Sequence, residues 1–321
     1  MGNEFRFCVM GAGHISRKFC GAAALTPGAY TAAVASKSLE RAQRFAEQNG
    51  IPAAYDSYVR MLEQEKPDCV YIGVTTNAHF ELTMLCLDHG VPVICEKAMF
   101  TNSRDAETVF RRAQEQGVFV MEAMWSRFLP ASAQVRDWIR TGRIGRVIMG
   151  DMMLCCDMPR DPDNRYFSPE LGGGAAYDLT VYPYELMTWW IGQEVQAVSG
   201  QAVWHQTGVD ETEILVLKLE DALASLRTTF MRRAGDRAEI HGENGCIVVP
   251  GAHRASECWL YEDGKEPVHF VDDRTGNGFV YEVEEAMRCI RAGLTESPVI
   301  PHRDTIACAK IFDYLAGLKE K

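Results

Sequence analysis

The chain has 321 residues, 47% hydrophobic and 24% charged, with a formal net charge of −11. That length suggests two domains, each able to build its own core, and the negative balance argues against a nucleic-acid surface or an anionic-membrane surface. There is no charged-then-apolar leader and no run of about 18 apolar residues, so neither a signal peptide nor a membrane span is expected. The eleven cysteines are odd in number and lack C-x-x-C pairing; they read as reduced core thiols of a cytoplasmic protein.

Phe5 to Met10 is a nearly unbroken apolar run, the pattern of a strand buried on both faces. Gly11-Ala12-Gly13 interrupts it, and Ile15, Phe19, Ala22 and Ala23 follow at helical spacing. Strand, glycine turn and helix together predict a dinucleotide site. Gly11 permits the tight turn, and Gly13, His14 and Ile15 lie where a pyrophosphate meets the helix N-terminus. Ser16 stands in place of the third glycine, small enough for close helix–strand packing. A second strand, Tyr30 to Ala35, ends in Ser36-Lys37-Ser38 rather than an acid, with Arg41 one turn on. A hydroxyl and two cations there suit the 2′-phosphate of NADP, with NAD as second choice; the alternative for Lys37 is a solvated helix-entry charge. Ala53–Tyr55 is a short extended stretch. Asp68–Gly73 predicts a third buried strand, whose following loop sets Thr75, Asn77 and His79 at the sheet's carboxyl edge. His79 either borders the cofactor or packs the next helix. Val91–Cys95 predicts a fourth strand, delivering Glu96 and Lys97 to the same edge, and Phe119–Met121 a fifth. The alternation implies an α/β Rossmann domain with a parallel sheet over residues 1–122.

From residue 123 to 321 the rhythm changes to an α+β domain for substrate binding and dimerisation. A helix (Ala131, Val135, Trp138, Ile139) precedes a strand at Val147–Cys155, a polar loop from Asp157 to Glu170, and Gly172-Gly173-Gly174. A helix carrying Asp178, Tyr182, Tyr184 and Trp190 follows. Seven strand-like runs between Gln196 and Val271, joined by turns, predict a large, mainly antiparallel sheet with an open face. Such a face predicts a homodimer. Two helices close the chain.

The motifs GAGHIS (Gly11–Ser16), CEKA (Cys95–Ala98), MEAMWSRFLPA (Met121–Ala131) and GGGAAYDLTVY (Gly172–Tyr182) resemble those of the glucose–fructose oxidoreductase and inositol dehydrogenase family, Gfo/Idh/MocA, over essentially the full length. With GVDETE (Gly208–Glu213) and ESPVIP (Glu296–Pro301), the resemblance is nearest to the dimeric dihydrodiol and NADP-dependent xylose dehydrogenases within it. The resemblance implies hydride transfer between a nicotinamide and a polyhydroxylated small molecule, a sugar or cyclic diol. It makes Tyr182 the proton-accepting residue, with Lys97 lowering the phenol's pKa and donating to the substrate oxygen, and Asp178, one helical turn earlier, orienting either. It also points Glu96 toward the cofactor. Without it, Tyr182 would read as a packing tyrosine and Glu96-Lys97 as a surface pair. Trp125, Arg127 and Phe128, with Arg160, Arg165 and Tyr166 of the polar loop, suit a ring bearing hydroxyls, although Trp125 also fits a core position and the loop arginines a solvated one. Two departures stand out. Thr180-Val181 replaces a common glycine, and Ala98 replaces the usual proline, where a cis peptide would cost about 2.5–4 kcal/mol instead of under about 1. Two other activities are known in the family: NAD-assisted glycoside hydrolysis and a catalytically silent dinucleotide-binding regulator.

Overall fold

The opening apolar run is a strand buried on both faces. In the computed structural model, which describes residues 4–161 and 164–319, β1 (Phe5–Met10) carries Phe7, Cys8, Val9 and Met10 with no solvent exposure. It pairs in parallel with β2 (Ala29–Ala35) and, on its other side, with a strand at Cys69–Ile72. With β3 (Ala53–Tyr55), β4 (Cys69–Ile72), β5 (Val93–Glu96) and β6 (Val120–Ala123) the sheet runs β3-β2-β1-β4-β5-β6, all parallel. The order reverses between β1 and β4, the switch point at which open α/β sheets bind ligands. Five strands were expected; the short stretch at Ala53–Tyr55 adds the sixth at the edge. Helices α1 (His14–Leu25), α2 (Leu39–Asn49), α3 (Tyr58–Glu65), α4 (His79–Asp88) and α5 (Ser103–Gln116) make the crossovers. In α5, Ala106, Val109, Phe110 and Ala113 are buried at i, i+3, i+4 and i+7, one face of the helix.

The second sheet has eight strands. After α6 (Pro130–Arg140) come β7 (Val147–Asp157), α7 (Val181–Ile191), β8 (Ala197–Trp204), β9 (Asp210–Lys218), β10 (Leu223–Thr229), β11 (Met231–Gly242), β12 (Gly245–Pro250), β13 (Glu257–Glu262) and β14 (Val268–Val271). Their order is β14-β13-β12-β11-β7-β10-β9-β8, antiparallel except where β7 meets β10. Helix α7 lies against β7, so close that a Cβ on Gly150 would sit 2.9 Å from the Met187 sulfur. Strand β9 alternates, Leu215 and Leu217 fully buried on the helix side and Ile214 and Val216 exposed on the other.

The last two helices are α8 (Phe279–Arg291) and α9 (His302–Lys319). Helix α8 packs on α1, and by compactness Asn277–Ile306 joins the chain up to Trp125, while Ser126–Gly276 joins the chain from Ala307. A single cut after residue 122 does not capture that return. Positions 1–3 and 320–321, at the ends of the two expected domains, and 162–163 of the polar loop lie outside the described residues. Of the eleven cysteines nine are buried, and Cys156 and Cys246 are half-buried. Among the described residues no helix is long and apolar enough to cross a membrane, and no cluster of His, Cys, Asp or Glu could hold a metal ion.

Candidate active site

Gly11 leaves β1 at φ +107°, and a Cβ there would lie 2.5 Å from the Gly73 carbonyl oxygen and 2.9 Å from Val74 Cγ1. Only glycine fits. Gly13 and His14 are exposed and Ile15 half-buried. Helix α1 starts at His14 with no side-chain cap and no acid in its first turn, so its free N–H groups and positive dipole end fit an anion such as a pyrophosphate. Ser16 is fully buried; its hydroxyl donates to the Gly73 carbonyl at 3.4 Å, and a Cβ on Gly73 would sit 2.4 Å from that hydroxyl. The serine thus serves the close helix–strand packing of the missing glycine.

At the end of β2, Ser36 is buried and its N–H donates to Tyr55 O at 3.1 Å. Ser38 caps α2, accepting from the Arg41 N–H at 3.3 Å. Lys37 and Arg41 are exposed, and neither is in an ion pair among the described residues, whereas Arg44 of the same helix pairs with Glu40. Two uncommitted cations beside a buried serine fit a phosphate better than a ribose hydroxyl.

At the β4 edge, the Thr75 hydroxyl donates to Asn77 Oδ1 at 2.7 Å; Thr75 is half-buried and Asn77 exposed. His79 turns inward. Its ring is 1% exposed, with Nδ1 3.0 Å from Ala98 O and Nε2 3.2 Å from Val74 O. Burial, the largest influence, lowers its pKa to about 4, so the ring is neutral and its single N–H donates to one of these two carbonyls. Lys97 is half-buried, and the Lys97–Ala98 peptide bond is cis. Glu96 ends β5 next to Lys97. Its carboxyl lies in the interior, accepting from the Tyr71 hydroxyl at 2.5 Å and from the Lys97 N–H at 3.3 Å, and burial raises its pKa to about 7. Beside it Glu282 of α8 is fully buried and also raised by burial.

In the other unit the three glycines pack under a turn. The Gly173 N–H donates to Ser168 O at 2.9 Å and the Gly174 N–H to Tyr166 O at 3.0 Å; a Cβ on Gly173 would sit 2.6 Å from two carbonyl oxygens. The segment that follows is a π-helical turn, Ala176–Thr180, where an α-helical turn was expected. A buried carboxyl pair pins it. Asp210 accepts from the Ala176 N–H at 2.6 Å and Glu213 from the Thr180 hydroxyl at 2.5 Å. Burial, with Asp210 adjacent, raises the Glu213 pKa well above the usual carboxylate range. The extra residue of a π turn re-aims side chains, and such turns concentrate at functional sites. This one carries Asp178, whose Oδ1 lies 3.4 Å from the Arg165 guanidinium; Arg165 in turn covers the Tyr166 ring at 4.1 Å. Tyr182, in the first turn of α7, is 8% exposed.

The remaining candidates separate. Trp125 is half-buried and stacks on Phe279 at 5.3 Å, an aromatic platform that the sequence reading missed because Phe279 sits in an ordinary helical stripe. Phe128 is half-buried. Arg160 is exposed and donates to the Met231 carbonyl at 2.9 Å. The Arg127 side chain is wholly buried and ion-paired to the equally buried Glu185 at 2.5 Å. Nε and an Nη also donate to the Glu185 carbonyl at 3.1 and 2.9 Å.

A family model described as the oxidoreductase family with NAD-binding Rossmann fold matches residues 5–124, and one described as the GFO/IDH/MocA C-terminal domain matches residues 132–248. Trans-1,2-dihydrobenzene-1,2-diol dehydrogenase of Xenopus tropicalis is 31% identical over 95% of each chain. The chain belongs to the Gfo/Idh/MocA oxidoreductase family. Solved members share the fold at lower identity. Levoglucosan dehydrogenase, in complex with NADH and levoglucosan, has a TM-score of 0.89 at 19% identity, with 98% and 97% of the two chains covered. A 3-ketoreductase from Actinomadura kijaniata, in complex with NADP and TDP-benzene, has a TM-score of 0.86 at 22% identity, covering 98% of both chains. As a family member the protein is an oxidoreductase with an NAD-binding Rossmann unit.

Proposed function

We propose that this oxidoreductase is an NADP-dependent dehydrogenase of polyhydroxylated small molecules, a sugar or a cyclic trans-diol, with Tyr182 as its base. The observation that carries the reading is the π turn pinned by Asp210 and Glu213, which fixes Asp178 against Arg165 just before Tyr182. A bound nicotinamide dinucleotide supplies the hydride acceptor. Gly11, Gly13, His14 and Ile15 hold its pyrophosphate, Ser36, Lys37 and Arg41 its 2′-phosphate, and Thr75 and Asn77 border it. Oxidation of a carbinol carbon also releases the hydroxyl proton. Tyr182 accepts that proton, Lys97 supports the phenolate and the substrate oxygen, and Asp178 with Arg165 orients the hydroxyls. Trp125 and Tyr166 offer aromatic faces to an apolar ring side, with Phe128 beside Trp125 in the chain. His79 and Glu96 in the first unit and Arg127 in the second act as packing residues. The names of the relatives, a cyclic diol and an anhydrosugar dehydrogenase, support this substrate class.

The exposed apolar residues Met149, Ile214, Val216 and Leu223 on the open sheet face support a homodimer, and the reduced buried thiols support a cytoplasmic setting. A monomer at micromolar concentration in light scattering contradicts the dimer. The function is tested by NADPH formation over a panel of aldoses and trans-diols, with NAD+ in parallel and Tyr182→Phe as control. Reduction by the wild type that the variant loses supports it. Binding of NADP+ without turnover of any panel member would instead favour a silent regulator, and glycoside cleavage without net reduction a redox hydrolase.

A further inference from the structure

Tyr182 has a ring neighbour that lies far along the chain. After β12 the backbone passes through Gly251 at φ +58° into one 3-10 turn, Ala252–Arg254. The imidazole of His253 then lies edge-on to the phenol, ring centroids 5.4 Å apart and planes at 66°. Three hydrogen bonds fix it. His253 Nδ1 is 2.6 Å from Asp236 Oδ2, its backbone N–H donates to Asp236 Oδ1 at 3.3 Å, and its carbonyl accepts from the buried Ser126 hydroxyl. Asp236 belongs to β11 beside a register shift between Met231 and Gly235, and its own carbonyl accepts from the Gly251 N–H at 2.9 Å. A carboxylate on Nδ1 selects the tautomer with the proton on that nitrogen and locks the ring's orientation, as outer partners do for functional histidines generally. Filling space against Tyr182 would require only an apolar ring; here the ring is oriented by a carboxylate, and Asp178 and Asp236 both lie within electrostatic reach of Cys156 in β7.

We propose that His253, oriented by Asp236, is a positioning residue for Tyr182, holding the phenol in the attitude in which it takes the substrate hydroxyl proton. The inference rests on the assignment of Tyr182 as base. A reacting group displaced by about 1 Å loses on the order of 100-fold in rate, so an oriented ring wall acts on kcat rather than on cofactor affinity. The test is a cycle of His253→Phe, which keeps a ring, Asp236→Asn, which keeps the shape, their double variant, and each single variant in a Tyr182→Phe background. The expected result is a kcat lowered on the order of 10-fold or more in each single variant, with the NADP+ dissociation constant and thermal midpoint unchanged. The double variant is no slower than the worse single, and neither change slows the residual turnover of Tyr182→Phe. Wild-type kcat in both His253→Phe and Asp236→Asn, or an equal loss in the Tyr182→Phe background, overturns the inference. If Tyr182→Phe alone keeps full kcat, the base assignment fails instead, so the two failures are distinguishable.

Discussion

Removing Arg127 tests whether it belongs to the substrate or to the core. Its guanidinium makes an ion pair at 2.5 Å and two bonds to the Glu185 carbonyl, with both side chains at 0% exposure. Arg127→Met keeps the volume but strands a carboxylate that water does not reach. Breaking one side of a buried pair costs about 3–5 kcal/mol. For a unit of this size that is a fall of roughly 10 °C in midpoint, at about 2–4 °C per kcal/mol. Replacing both partners by apolar residues removes the stranded charge, so Arg127→Met/Glu185→Met recovers at least half of the loss. Thermal unfolding and urea titration, both followed by tryptophan fluorescence, with steady-state kinetics on the folded fraction, measure both sides. An Arg127→Met protein with unchanged midpoint and a raised KM for substrate would refute the reasoning and return Arg127 to the substrate site.

Lys37→Glu puts a carboxylate where the structure has an uncommitted cation; the KM for NADP+ rises at least roughly tenfold, about 1.4 kcal/mol, while that for NAD+ moves less, and parallel kinetics with the two cofactors check it. Gly11→Ala forces a Cβ to 2.5 Å from the Gly73 carbonyl at φ +107°; it loses dinucleotide binding by fluorescence titration and about 1–3 kcal/mol of stability. Glu96 carries a pH signature. Burial holds its folded pKa at about 7 against an ordinary 4.5, so between those values the folded chain keeps a proton that the unfolded chain has released. Its contribution to stability therefore falls as pH rises through that window and is flat above it. Glu96→Gln, which still accepts from Tyr71 but cannot ionise, shows a smaller decline in denaturation midpoint across the same range.

The first unit was legible because its signals are local. A buried parallel strand reads as an apolar run, and Gly11 followed by an uncapped helix is a short-range pattern. Ala53–Tyr55 was visible only as an extended stretch, since three residues carry no period. In the second unit the seven later strands announced themselves by alternation, as Leu215 and Leu217 against Ile214 and Val216 show. What stayed hidden depends on partners distant in sequence. Nothing near Arg127 points to Glu185, and nothing in GAHRAS points to Tyr182. Glu96 looked available because its strand ends at the ligand edge, yet Tyr71, the penultimate residue of β4, draws it inward. The π turn is invisible for another reason: its hydrogen bonds depend on Asp210 and Glu213 pinning it from another strand.

The most direct measurement is single-turnover NADPH formation by the NADP+-loaded enzyme with a substrate from the panel, comparing wild type with Tyr182→Phe. The account predicts a slowing of about 10²–10⁴-fold, the usual worth of a positioned acid–base group, at unchanged NADP+ affinity. Equal rates for the two proteins would contradict it.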